Sequence, residues 1–147
     1  MESPELPVTW RPLGVRLAVF FFAAILLVVC LFAWIGFDQS VRDAFSFWQR
    51  LTIALLGAMV LGSGWLVGRC RVTATEDGVR VVNGLRTHAC AWDEIRNVDF
   101  QPGYPWARLA MRDGQQHPIV ALQASDGRRT EEAVMALRGL IAERRTT

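Results

Sequence analysis

The side chains with the chemistry to act are few. Cys30, Cys70 and Cys90 are the cysteines, and His88 and His117 the histidines. A zinc site needs several such ligands at short spacings, as in C-x-x-C or H-x-x-x-H, and neither spacing occurs, so no metal is expected. His88 and Cys90, two residues apart, would share one face of a strand, as a thiol and its base must. No oxyanion cradle or orienting acid accompanies them, so Cys90 is expected to be a packed thiol. Cys70 and Cys90 could become neighbours across a sheet, but nothing demands a disulfide. The adjacent acids Asp93-Glu94 and Glu131-Glu132 would point apart on either a strand or a helix, so neither forms a dyad by itself. They read as turn residues and helix-dipole partners. With no convergent titratable set, neither an enzyme nor a cofactor is expected.

Binding chemistry is better represented. All 16 basic residues are arginine, which suits bidentate capture of phosphate or carboxylate; codon bias in a GC-rich genome explains the same composition. Arg69 and Arg71 follow the second of two apolar runs, where each basic residue near an anionic lipid surface gains about 1 kcal/mol. The loop Gln101-Pro102-Gly103-Tyr104-Pro105-Trp106 carries Tyr104 and Trp106, an aromatic pair fit to touch lipid or anchor a partner. The competing reading puts Trp106 in the core and Tyr104 over one end of a sheet.

The first apolar run, Leu17 to Phe37, holds 21 residues and no charge. As a helix it reaches roughly 30 Å, the hydrocarbon thickness of a bilayer. It is too long for a signal peptide and lacks a small-x-small site before Asp38, and Val29 before Cys30 disfavours a lipoprotein site. It reads as a retained anchor. A short polar connector, Asp38 to Arg50, precedes a second uncharged run of 18 residues, Leu51 to Gly68. Trp34 and Trp48 flank the connector, and Trp10 and Trp65 fall near the other interface, as in a hairpin. Gly57, Gly62 and Gly64, with Ala54, Ala58 and Ser63, offer a small-residue surface on which the first helix can pack. Arg11, Arg16, Arg69 and Arg71 outnumber Arg42 and Arg50 across the membrane, which predicts both termini in the cytoplasm and a multi-pass plasma-membrane protein.

Residues 1–68 carry eight of the 30 charged side chains, and residues 69–147 the rest. The chain therefore divides into an irregular tail (1–12), a transmembrane hairpin (13–68, helices near 14–37 and 48–68) and a soluble domain (69–147). The soluble part has 12 arginines against 10 acids, a balance that gives no basic footprint for nucleic acid. Its period switches to two. Val72 and Ala74 alternate with polar residues, and Asp77-Gly78, Asn83-Gly84 and Asp113-Gly114 mark tight turns that tolerate positive φ. About six strands follow in an antiparallel meander, the third over Leu85–Trp92. Then comes a helix near 129–145, with Thr130 as its cap, Glu131 and Glu132 in its first turn, and one apolar stripe of Ala133, Val134, Leu137, Leu140 and Ile141. That helix is the natural cover for the sheet.

A strand meander followed by one capping helix is the element order of a pleckstrin-homology (PH) fold. The segments Val72-Thr73-Ala74-Thr75-Glu76-Asp77-Gly78-Val79-Arg80-Val81, Asn83-Gly84-Leu85-Arg86 and Ala91-Trp92-Asp93-Glu94-Ile95 resemble the bacterial PH-domain signature. Leu109 to Gly114 and Leu122 to Gly127 are similar to the actinobacterial branch named for a low-molecular-weight protein antigen, typically with two membrane helices ahead of the domain. The resemblance implies a two-helix transmembrane hairpin followed by an α+β PH-like domain, a partly open antiparallel barrel with a C-terminal capping helix, and no established reaction. PH domains are best known for binding phosphoinositides around the first hairpin. Here that turn is Glu76-Asp77-Gly78, flanked only by Arg71 and Arg80, and its charge argues against specific phosphoinositide binding. The expectation is a membrane-anchored, non-catalytic interaction module with candidate contacts at Tyr104, Trp106, Arg69, Arg71 and Arg80. Its partner would be a protein or the membrane surface, and pairing of a peptide with an open strand edge is a general possibility. The alternative is an accessory subunit of a transporter or cell-envelope complex that acts through its membrane helices.

Overall fold

A computed structural model describes residues 6–146 and separates into two compact units, one of Met1–Val15 with Leu66–Thr147 and one of Arg16–Trp65. The second unit contains most of two long helices, α1 (Leu13–Gly36) and α3 (Phe47–Arg69), joined through a short helix α2 (Gln39–Ala44) that lies in the segment read as a connector. Each long helix has the length and composition to cross a membrane, and neither has a buried residue. A core helix of this length would bury a face, so these are two candidate transmembrane helices. At Gly64 a Cβ would collide with Val19 of α1, so the small residue permits close approach there. Gly57 and Gly62 meet nothing within 4 Å, so only part of the expected small-residue surface receives the first helix. Around the connector, the Phe45 ring lies 5.9 Å from Trp34 and 6.2 Å from Phe37, and Arg50 sits over Trp34 at 5.9 Å.

The other unit is built on two antiparallel sheets. The first has the order β1 (Val8–Trp10), β2 (Arg71–Ala74), β3 (Gly78–Asn83), β4 (Arg86–Ala91); the second has β5 (Ile95–Asp99), β6 (Trp106–Met111), β7 (Gln116–Gln123). A 3₁₀ turn, Ala124–Asp126, leads into helix α4 (Arg128–Thr146). Alternation along the strands turns Val72, Ala74, Val79, Val81, Ile95, Val98, Leu109 and Ile119 inward. All five residues of the expected α4 stripe are buried against them.

Four local expectations need correction. Residues 1–12 were expected to form an irregular tail. Residues 1–5 lie outside the described ones, but Val8–Trp10 pair with Val72–Ala74 as a seventh strand. Leu6 and Trp10, both half-buried, pack on the core, and Pro12 is buried. Gly78 has no positive φ; it is glycine because a Cβ there would strike the carbonyl of Cys90 across the β3–β4 pair. Thr130 lies inside α4 and is not its cap: its buried hydroxyl donates to the Gln123 carbonyl at 2.6 Å. Leu85 belongs to a turn and is 75 % exposed, so the third strand of the meander begins at Arg86.

Two polar side chains tie the sheets and turns together. Asn83, at the end of β3, donates from Nδ2 to the Pro118 carbonyl at 2.6 Å and accepts from the Val120 N–H at 3.1 Å. It thereby supplies β7 with the two bonds of a neighbouring strand. The Trp92 indole donates to the carbonyls of Thr75 and Glu76, both at 3.1 Å, and so holds the β2–β3 turn.

Candidate functional site

The residues proposed from sequence do not converge. Arg71 and Arg80 are exposed on β2 and β3, where Thr73 pairs with Arg80 and Arg71 with Val82, and Arg69 is the exposed last residue of α3. Tyr104 and Trp106 lie at the start of the second sheet instead. Trp106 opens β6 half-buried, paired with Gln123. Tyr104 is exposed in the preceding loop, with the Arg108 guanidinium over its ring at 4.3 Å. The two competing readings of that loop are thus divided between its aromatics: Trp106 joins the sheet while Tyr104 stays available. At the first hairpin, Glu76 forms an ion pair with Arg144 of α4, so of the two acids in that turn only Asp77 lacks a cation among the described contacts.

The Cys90–His88 pair is visible, and its electrostatics are wrong for a nucleophile. Burial, with Glu94 and Asp113 nearby, pushes the Cys90 thiol above its ordinary pKa. A reactive thiol needs the opposite environment. His88 stacks on His117, their ring centroids 4.4 Å apart. Glu94 accepts from the Ala91 N–H at 3.1 Å and Asp113 from the Gln115 N–H at 2.9 Å, so both acids serve as turn residues. No group of three or more His, Cys, Asp or Glu able to hold a metal occurs among the described residues. Cys70 and Cys90 are separate free thiols.

A concavity of about 570 Å³ is lined by His88, Cys90, Glu94, Asp113 and His117, and two others run beside α4. One, of about 540 Å³, is lined by Phe100, Pro102, Tyr104, Val134, Met135 and Arg138 among others. Met135 is 50 % exposed. It breaks the binary pattern of α4, a large apolar residue off the buried stripe, and that mismatch was the signal in the sequence. A second, of about 410 Å³, is lined by Arg96, Asn97, Arg138, Ile141, Ala142 and Arg145. Nothing in the linear sequence unites its three arginines, which come from β5 and from two turns of α4.

Antiparallel strands followed by one C-terminal helix are the element order the sequence pattern implied, here divided into sheets of four and three strands, and residues 69–140 match the family model of the bacterial PH domain. Over those residues the chain is similar to the bacterial PH-domain family. It is also similar to uncharacterised proteins of Mycobacterium tuberculosis and Mycobacterium bovis, each 29 % identical over 136 residues, covering 92 % of this chain and 86 % of the relative. That similarity reaches beyond the PH-like domain into the apolar helices. No solved structure matches the chain significantly.

Proposed function

We propose that the protein is a membrane-anchored, non-catalytic interaction module whose PH-like domain holds a protein partner against α4. In this reading residues 13–68 form the membrane hairpin and residues 69–147, completed by Val8–Trp10, form the interaction domain. The observation that carries it is the concavity lined by Phe100, Tyr104 and Met135, where Tyr104 and Met135 stay exposed over the buried Val134. Aromatic, methionine and arginine side chains are the types enriched where proteins dock, and Tyr104 is already ordered by Arg108, which lowers the entropy lost on binding. The arginine asymmetry supports a domain on the cytoplasmic side.

A photo-cross-linking residue in place of Met135, in the full-length protein in its own membrane, tests this. One discrete protein adduct is expected, lost on Tyr104→Ala and absent when the same probe replaces the exposed Leu85. Adducts with lipid alone would transfer the role to the membrane surface. A second reading is favoured by one observation: Gly57 and Gly62 of α3 have open space before them, room for a further helix of an accessory complex. Protein adducts from a probe at Gly57 but not at Met135 would select it.

A further inference from the structure

From the concavity of three arginines we infer that the α4–β5 groove is an oxyanion site for a phosphate group. β5 is an edge strand, paired only with β6. Its register shifts between Ile95 and Asn97, leaving Arg96 as the extra residue of a bulge. The free edge is covered by guanidinium groups from α4: Arg138 donates from Nε to the Val98 carbonyl at 2.8 Å, and Arg145 from Nη2 to the Arg96 carbonyl at 2.6 Å. These carbonyls are therefore closed to an added strand, and a ligand in this groove must use other groups.

The bonds that close the edge also prepare the groove. Among the described contacts each guanidinium uses one donor at the edge and has the rest of its fork to offer, both Nη groups for Arg138, Nε and Nη1 for Arg145. Arg96 adds a third permanent charge, and among the described residues no carboxylate lines the concavity. The nearest acid along β5, Asp99, is engaged by the Asn97 amide at 3.4 Å. Three like charges around one hollow repel one another, a cost that a bound dianion reverses. A phosphate monoester supplies two charges and several acceptors, matching planar donors better than a carboxylate does. The inference does not depend on the protein-partner reading, since it uses neither Tyr104 nor the membrane helices. It also differs in place from the first hairpin, where the turn is acidic.

The test uses the full-length protein in an uncharged detergent, titrated with inorganic phosphate, glycerol 3-phosphate and short-chain phosphatidic acid and followed by phosphorus NMR. Acetate at matched ionic strength is the control. Saturable binding of phosphate groups over acetate is expected. Arg96→Gln should weaken it about tenfold, the worth of one charge-assisted bond, because it removes a groove charge without touching the edge contacts. Arg86→Gln, an exposed arginine on β4, should change nothing. Tighter binding of phosphatidic acid than of glycerol 3-phosphate would identify a lipid headgroup as the source, and equal binding a free phosphate. Absence of saturable binding would overturn the site, as would equal losses in the two variants.

Discussion

At Cys90 the sign of the electrostatics decides between reactive and inert. Burial and two acids hold the thiol protonated in the folded chain above the ordinary value of 9.0, while the unfolded chain ionises near that value. Between the two values the folded state binds more protons, so stability is fully present below the unfolded value and falls as pH rises through the folded one. Cys90→Ala should flatten this alkaline limb in a series of unfolding midpoints, and an unchanged limb would show the thiol to be uninvolved. The thiol should also resist alkylation at neutral pH in the folded protein. Asn83 is the residue with most at stake in the sheet closure, because its amide satisfies a donor and an acceptor of β7 at once. Asn83→Ala leaves both unpaired and should cost about 1–3 kcal/mol in denaturant unfolding. A loss within a few tenths of that of an exposed-site control would mean that water replaces the amide.

Among the elements, α1 begins at a designed contact. Asp126, from the 3₁₀ turn before α4, accepts from the Leu13 N–H at 3.1 Å and the Gly14 N–H at 2.9 Å. A carboxylate on the first free amides of a long helix satisfies orphan donors and complements the positive end of its dipole. Gly14 allows it, since a Cβ there would collide with the Asp126 carboxylate. Asp126→Ala should cost about 1 kcal/mol and speed hydrogen exchange at Leu13 and Gly14. Gly14→Ala should reproduce the exchange phenotype despite alanine's higher helix propensity. Exchange that is slow and unaltered in both variants would assign the helix start to other forces.

For the whole molecule, the strand before the candidate spans is the unexpected part. β1 precedes α1, β2 follows α3, and the two pair in one sheet. A chain that leaves one side of a membrane at Pro12 must return to that side before Arg71, so two crossings satisfy the sheet and one cannot. The two candidate spans are thus inserted between two paired strands of the PH-like domain. Replacing residues 13–68 by a short turn should yield a soluble, folded protein. A fragment starting at Arg69 should be less stable by at least about 2 kcal/mol, because it lacks the burial of Trp10 and the cover on β2. Equal stability of the two would show that β1 contributes little.

The sequence by itself determined the two apolar helices, the strand meander, the α4 stripe and the PH resemblance, because each follows from periodicity and turn chemistry within short windows. It also offered the Tyr104 loop as a candidate contact surface, although not that Trp106 would be drawn into β6. Only tertiary structure assigned Val8–Trp10 to a strand, since three residues carry no period and their partners lie beyond both apolar runs. The same holds for Arg96, Arg138 and Arg145. They are unremarkable along the chain and form a groove only because the open carbonyls of a bulged edge strand require donors, and α4 is the element that supplies them.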